Sequence, residues 1–270
     1  MFDIEKMHAY AQELKEMMDL TLNIQAYKFV EDESIVPADA YKPRERGEHM
    51  ALCQAIALVK RERKTVYMVK EDHWCWTPLI GLGHVACEPG MESFEIVAGA
   101  LGIADMDAAR AFFAKFPKLP VDKYKGLLIA PMQDAQFEPD MILINCDNNF
   151  QLRFMIWGIK SQTGTMLETS FDAIDSCIHS IVEAYLNQEY RITIPDPGDQ
   201  ERALSDKNEI ILSVPPAKLD ELMTGCRMID GRGVGYKGMK LIQKYNFARP
   251  PFYNELYRIW GLDEGEIWEH

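Results

Sequence analysis

The segment His73-Trp74-Cys75-Trp76 holds the side chains of this 270-residue chain that are best suited to chemistry. A cysteine beside an imidazolium can lose its proton, and the thiolate that results is a nucleophile or a metal ligand. We predict that Cys75 is the nucleophile or a ligand, and that His73 is the base or a second ligand. Trp74 and Trp76 would stack on a planar ligand or exclude water. The alternative is a buried aromatic cluster with an inert thiol.

Three of the six cysteines, Cys53, Cys75 and Cys177, form a second set of candidates. Soft thiolates select zinc, copper(I) or an iron–sulfur cluster, so this set predicts a metal or cluster as the cofactor. No CxxC pair occurs, and the ligands would come from separate segments. Cys53 and Cys177 lie on apolar helix faces, so simple core packing is the alternative. Disulfides are not expected in a long chain from a reducing compartment.

Two polar segments offer further sites. In PDPGDQERA, residues 195–203, Asp199 and Arg202 would orient an anionic or polar ligand, or they pin a connection between strands. The residues Asp175, His179 and Glu183 are four apart and share one row of a predicted helix. This row would hold a divalent cation, or it is a solvated face.

Composition limits the partners and the compartment. Apolar residues make up 47% of the chain and the net charge is −13, so we expect a folded protein that binds neither nucleic acid nor a membrane. No apolar run reaches the roughly 18 residues that span a bilayer, and no signal peptide is evident, so the cytoplasm is expected. Residues 42–64 carry seven Lys and Arg against three Glu, and residues 227–244 carry five against one Asp. These two basic islands would converge on a small anion, or they are unrelated.

Local patterns predict the elements that position these side chains. Apolar residues at helical spacing predict helices after Asp3 and over 48–59, 93–102, 107–116, 147–159 and 172–186. A last helix begins at Pro215 and Pro216 and stops at Gly225. Strands are predicted over 65–69, 126–130, 141–146, 190–194 and 209–214. The irregular order favours an α+β (mixed α/β) fold with a mixed sheet of about six strands. We expect one domain over 1–225 and an extension over 226–270 with an aromatic helix for docking or homo-oligomer formation.

Several blocks occur together in one order: the Cys53 helix, Cys75 followed by Gly81 and Gly83, YKGLLIAPMQDAQFEPDMILI, TSFDAIDSC with Cys177, PDPGDQERA and EIILSVPPAKLDEL. Over about residues 10–225 the chain therefore resembles the domain-of-unknown-function family numbered 169 of bacteria and archaea. The resemblance implies no particular activity. Around Cys75 the chain departs from the family pattern, because Trp74, Trp76 and Thr77 stand where small residues are expected.

Taken together, the sequence predicts a cytoplasmic protein that binds a metal, an iron–sulfur cluster, another cofactor or a small ligand at a cysteine site around Cys75. Whether it is an enzyme stays open. The alternatives are a non-catalytic module that binds or senses a small anion, and a subunit of a larger complex.

Overall fold

Six strands form one sheet in the order β2-β3-β1-β4-β6-β5, and every pairing of neighbouring strands is antiparallel. The α+β class and the six strands are confirmed, whereas the sheet is antiparallel instead of mixed. The computed structural model describes residues 2–238 and 251–262. The strands are β1 Gln25–Val30, β2 Val66–Val69, β3 Gly126–Pro131, β4 Met141–Cys146, β5 Arg191–Thr193 and β6 Ile210–Val214.

Strand β1 is a central strand that the local sequence pattern did not reveal. It lies between β3 and β4, and pairs Tyr27 with Ile129 on one side and with Met141 on the other. Five of its six residues are buried, because helices cover both faces of the sheet. A strand that is buried on both faces lacks the alternation of apolar and polar residues by which a half-buried strand is recognised.

Helices pack on both faces of the sheet and enclose two large hydrophobic cores. The helices are α1 Ile4–Met18, α2 Leu52–Glu62, α3 Trp76–Gly81, α4 Glu92–Ala100, α5 Met106–Lys115, α6 Asn149–Thr163, α7 Ser176–Ile178, α8 Ala184–Asn187, α9 Pro197–Ala203, α10 Leu219–Ile229 and α11 Phe252–Ile259. The first core joins the sheet to α1, α6 and α10, and the second joins it to α2, α3, α4, α5 and the helical segment that follows Asp175.

Helices α6 and α10 cross where two glycines meet. A Cβ atom on Gly225 would lie 2.1 Å from the carbonyl oxygen of Gly158, so neither position accepts a side chain without moving backbone. The prediction that Gly225 ends the last helix is therefore wrong. Gly225 lies within α10, where the absence of a side chain permits close helix packing.

The predicted helix over 172–186 begins later and contains a π-helical segment. Asp175, in a left-handed conformation with φ of 64°, precedes α7, and His179–Glu183 form a π-helix that leads into α8. Asp172 lies before the helix. A π-helical turn shifts the direction of the side chains around it, and such turns are frequent at functional sites.

The C-terminal part of the chain forms a separate unit. The contacts divide the chain into Met1–Lys237 and Gly238–His270, and α10 runs across position 225, where the sequence predicted the boundary. Within the second unit, α11 carries exposed apolar side chains, among them Phe252 and Ile259, and the exposed Trp260 follows directly after the helix. Residues 239–250 and 263–270 lie outside the described residues. The docking role of this segment stays a prediction. None of the helices within the described ranges has the length and apolar character required to cross a membrane.

Candidate functional site

A cavity of about 480 Å³ opens between the first turns of α2 and α3, helix α9 and the start of α7. Its polar and sulfur-bearing lining comes from four separate parts of the chain. The side chains that matter for chemistry are Cys53, Cys75, Cys177, Asp175, Asp196 and Arg202. Trp74, Trp76 and Thr77 line it as well, beside an apolar wall. A space of this size suits a small organic molecule.

The structure brings most of the predicted site residues to this one cavity. All three candidate cysteines, both tryptophans and Arg202 line it. Asp199 does not line the cavity but is hydrogen-bonded to Asp196, which does. His73 also lies outside the cavity lining, and no hydrogen bond of the described residues joins its side chain to a lining residue.

Local sequence explains why these elements meet. Gly81 in α3 packs against Ile178 in α7, and a Cβ atom there would lie 2.6 Å from that side chain. At the end of α3, Gly83 has φ of 73°, and a Cβ atom would lie 2.5 Å from the carbonyl oxygen of Pro120. Both glycines therefore allow α3 to sit close to its neighbours, which brings Thr77 next to Asp175.

A hydrogen-bond chain connects Cys75 to a buried carboxylate. The Cys75 thiol donates to Oγ1 of Thr77 at 3.8 Å, and Thr77 Oγ1 donates to Oδ1 of Asp175 at 2.7 Å. Cys75 is partly exposed, whereas the other five cysteines are buried. Cys75 is thus the cysteine that a molecule in solution can reach most readily, and its thiol is linked to a proton acceptor.

The surroundings of Asp175 disfavour the ionised form of its carboxyl group. The residue is only 5% exposed, and burial raises the pKa of its carboxyl group to about 6 despite the hydrogen bond from Thr77. Its second oxygen, Oδ2, has no hydrogen-bond partner among residues 2–238 and 251–262. A buried polar atom without a partner costs free energy, so it marks a position whose partner is absent or whose role is functional.

Asp196 and Asp199 build the wall formed by α9. Each accepts a hydrogen bond of 3.0 Å from the backbone N–H of the other, a reciprocal arrangement that caps the helix, and Pro197 occupies its first turn. Ser176 donates its hydroxyl to both carboxylates and so ties α9 to α7. Burial and the neighbouring Asp196 raise the pKa of Asp199. The expected pairing of Asp199 with Arg202 is replaced by this network, in which Asp199 holds the cavity wall in place.

Cys53 and Cys177 are embedded in the cavity wall as protonated thiols. Burial, with the charges of Asp199 and Asp196, raises the pKa of Cys53 to about 12 and raises that of Cys177 far above the ordinary thiol range. The Cys53 thiol also donates to the carbonyl of Gly198 at 3.7 Å. Both act as small packing groups.

The three cysteines do not form a metal site with this geometry. Across residues 2–238 and 251–262, no group of three or more His, Cys, Asp or Glu side chains is arranged to hold a metal ion. The zinc, copper or iron–sulfur centre predicted on Cys53, Cys75 and Cys177 therefore does not fit the donor positions, although the three side chains share one cavity.

Trp74 and Arg202 stack at the mouth of the cavity. The guanidinium carbon of Arg202 lies 5.0 Å from the ring centroid of Trp74, within the range of a cation–π contact. Gln54, in α2, accepts hydrogen bonds from the Trp74 indole at 3.4 Å and from the backbone N–H of Ala51. Trp76 is less exposed and packs towards Phe113 and Phe116.

His73 faces a second histidine and not the cavity. Its ring centroid is 5.6 Å from that of His84, and neither of its ring nitrogens has a hydrogen-bond partner among the described residues. Burial, with the neighbouring His84, lowers the pKa of His73 to about 3. The geometry therefore provides no hydrogen bond between Cys75 and His73, and an imidazole with so low a pKa is too weak a base to take the thiol proton.

The row of Asp175, His179 and Glu183 is divided by the π-helix. His179 Nδ1 lies 2.5 Å from Glu183, and its Nε2 lies 3.3 Å from Asp172. Glu183 also pairs with Arg191 at 2.5 Å. This chain of charges holds the helix against β5, while Asp175 points to Thr77 instead.

The described cations of the first basic island are largely matched by carboxylates. Lys60 and Arg61 pair with Glu209, Arg63 with Asp134, and Lys64 with Glu62. Lys42 and Arg44 pair with Glu45 and Glu71. In the second island, Arg227 pairs with Glu13 and Lys237 with Asp19, and residues 239–244 lie outside the described residues. Convergence of the two islands on an anion stays a prediction.

Sequence reasoning missed Thr77, Asp196 and the role of Asp175. Thr77 is two residues after Cys75, and such a spacing carries no signal by itself. Asp196 belonged to the PDPGDQERA block, where the Asp-Pro-Gly start and the carboxylate three residues later form the signature of a capped helix. Only the fold brings Asp175 to them.

The chain matches the model of the DUF169 family, described as uncharacterised ArCR, over residues 13–225. The chain belongs to the DUF169 family. The resemblance visible in the sequence is confirmed, and every residue named in the cavity lies inside the matched range.

The chain also has a relative in an archaeon. An uncharacterised protein of Methanocaldococcus jannaschii is 23% identical over 223 residues, which cover 82% of this chain and 94% of that protein. No solved structure gives a significant match.

Proposed function

We propose that this protein binds a small organic molecule in the cavity and that the Cys75 thiol reacts with it. The hydrogen-bond chain from Cys75 through Thr77 to Asp175 is the observation that carries the proposal. It places a reachable thiol, a hydroxyl and a carboxylate side by side at one wall of a space large enough for a ligand. The donor positions favour this option over the metal or iron–sulfur option.

The chain of hydrogen bonds gives the Cys75 proton a route. When the thiol proton passes to Thr77, the hydroxyl proton of Thr77 passes to Asp175, and a thiolate forms at Cys75. The net charge of the site does not change, because the negative charge moves from Asp175 to Cys75. The pKa of about 6 at Asp175 brings this carboxylate closer to a thiol in proton affinity than an ordinary aspartate is, and so lowers the cost of the transfer.

The tryptophans supply the binding surface. Trp74 and Trp76 flank Cys75 in sequence and line the same cavity, so a planar or apolar group next to the thiol would pack against an indole ring. In this proposal Cys53 and Cys177 fill the wall, Asp196 and Asp199 hold its shape, and His73 takes no part.

Saturation kinetics with a neutral electrophile test the proposal. We would measure the alkylation of Cys75 by N-benzyl iodoacetamide and by iodoacetamide in the full chain, and locate the label by mass spectrometry. The thiolate attacks the carbon that bears iodine, and iodide leaves. Relative to free 2-mercaptoethanol, the benzyl reagent should react roughly tenfold faster than iodoacetamide, because its ring is buried before reaction. Its rate should level off as the reagent concentration rises.

A pair of tryptophan variants provides the control. Trp74→Ala should abolish the advantage of the benzyl reagent, whereas Trp157→Ala, which removes a half-exposed tryptophan of α6 outside the cavity lining, should leave it unchanged. The proposal fails if Cys75 reacts no faster than the buried cysteines. It also fails if the benzyl group gives no advantage in the wild type.

A further inference from the structure

We infer that the molecule bound in this cavity is an organic cation, recognised through Asp175 and Asp196. The inference rests on the proposed function and adds the charge class of the ligand. It opposes the small-anion alternative that the basic islands suggested.

The charges at the cavity are unequal in number. Asp175 and Asp196 line it, and Asp199 stands directly behind Asp196. Among the lining residues, all of which lie in the described part of the chain, Arg202 is the one Lys or Arg. An anionic ligand would have to approach these carboxylates, and a cation would be drawn to them.

The negative charges at the cavity are also more deeply buried than the positive charge. The Arg202 side chain is 42% exposed and stacks on Trp74 at the mouth, so solvent screens its charge. Asp175 and Asp199 are each 5% exposed, and the field of a charge reaches further in a less polar interior. Burial, together with the carboxylates Asp199 and Asp196, also raises the pKa of Cys53 in the same wall.

Asp175 supplies the second and independent observation. Its Oδ1 atom accepts from Thr77, but Oδ2 is buried and has no hydrogen-bond partner in the part of the chain that the structure describes. An N–H group of a bound ammonium or amidinium ion that reached Oδ2 would supply the missing donor, and such charge-assisted hydrogen bonds are among the stronger ones. Capping and packing explain Asp196 and Asp199, but they leave Oδ2 of Asp175 unexplained.

The other residues that line the cavity indicate the chemistry of the uncharged part of the ligand. Trp74, Trp76 and the apolar wall suit an aromatic or aliphatic body, and an indole face attracts a cation. A bare metal ion would fill little of about 480 Å³, and the donors are not grouped around one point. The chemistry therefore matches an amine or amidine on an apolar skeleton.

Two thiol reagents of opposite charge test the inference in the full chain. The Cys75 thiolate attacks the thiosulfonate sulfur of 2-aminoethyl methanethiosulfonate or of its 2-sulfonatoethyl counterpart, forms a mixed disulfide and releases methanesulfinate. After each rate is divided by that of free 2-mercaptoethanol, the cationic reagent should be favoured at Cys75 by about tenfold.

Two variants, one that removes a negative charge and one that removes a positive charge, test which residues cause the preference. Asp175→Asn keeps an oxygen for Thr77 but removes a charge, and should reduce the cation preference severalfold. Arg202→Gln removes the opposing charge and should increase it. In the wild type the preference should also grow between about pH 5 and pH 7, as Asp175 ionises.

The outcomes separate the inference from the proposed function. If both reagents modify Cys75 but the sulfonate is equally fast or faster, the cavity does not favour cations and the inference is wrong, while the proposed function stands. If neither reagent modifies Cys75, the thiol is inaccessible and both are wrong. A cation preference that persists unchanged in Asp175→Asn and Arg202→Gln also overturns the inference, because these charges would not cause it.

Discussion

The hydroxyl of Thr77 donates a 2.7 Å hydrogen bond to the carboxylate of Asp175, which lies 98 residues further along the chain. Thr77 belongs to α3 and Asp175 precedes α7, so this bond joins the two helices at the cavity wall. The same hydroxyl accepts from the Cys75 thiol. Stability and thiol chemistry therefore depend on one carboxylate.

Replacing Asp175 with Asn should stabilise the protein near neutral pH. The pKa of Asp175 is raised to about 6 by burial, above the value of about 3.9 in an unfolded chain, so folding favours the protonated form. The stability that this group contributes is present below about pH 4 and is lost as the pH rises through about 6.

The Asp175→Asn protein does not undergo this loss, so its advantage over the wild type should grow with pH. Urea denaturation should show a difference in unfolding free energy that is larger at about pH 7 than at about pH 4 by on the order of 2 kcal/mol. A difference that stays constant or shrinks over this range would show that the carboxylate carries no burial cost.

The ion pair of Lys60 and Glu209 should be essential for stability. Both side chains are at most 2% exposed, and Glu209 also accepts from Asn145 at 2.6 Å. Lys60→Met would leave the Glu209 charge buried with Arg61 as the one remaining cation beside it among the described residues, which should cost about 3 kcal/mol. Urea denaturation measures this loss of unfolding free energy. The matched Lys64→Met variant breaks an exposed pair with Glu62 and should cost less than about 1 kcal/mol. Equal effects of the two variants would contradict this account.

Gly225→Ala should strongly destabilise the crossing of α6 and α10. The new methyl group would meet the backbone of Gly158, which can retreat only if a helix moves, so we expect a loss of about 3 kcal/mol. Gly99→Ala in α4 is the control, because no atom lies within 4 Å of its Cβ position. There alanine should raise stability slightly through its higher helix propensity. Thermal unfolding of both variants measures these changes in stability. A Gly225→Ala protein as stable as the wild type would contradict the account, because it would mean that the two helices can separate freely.

Much of the fold could be predicted from local pattern. The stripe that begins after Asp3 produces α1, and the apolar runs at 126–130 and 141–146 produce β3 and β4. The position of β1 between those two strands could not be predicted from the local sequence, because packing across the whole sheet sets the order of the strands. Glycine is common at helix ends, so the local pattern predicts that the last helix ends at Gly225, but the contact of Gly225 with Gly158 is a tertiary feature that no local pattern contains.

The sequence predicts most of the residues of the candidate site from their chemistry, but it does not predict which of them contact each other. Cys75, the tryptophans and Arg202 were named from their chemistry, and the fold brings them to one cavity. His73 was paired with Cys75 only because the two are close in sequence, whereas the fold places its ring against His84. Thr77 and Asp175 were not connected in advance, because a left-handed residue before a helix and a contact over 98 residues leave no spacing to detect.

The central claim is that Asp175 acts on Cys75 through Thr77, and the pH dependence of Cys75 alkylation tests it most directly. We would follow iodoacetamide labelling of Cys75 in the wild type, Asp175→Asn and His73→Asn proteins. In the wild type the rate should show a first rise around pH 6, as Asp175 becomes able to accept the proton, before the further rise that direct ionisation of a thiol produces at higher pH. Asp175→Asn should lack the first rise and react more slowly near neutral pH, while His73→Asn should keep it, since no hydrogen bond among the described residues joins His73 to Cys75. An unchanged profile in Asp175→Asn, or a first rise lost in His73→Asn, would contradict the account.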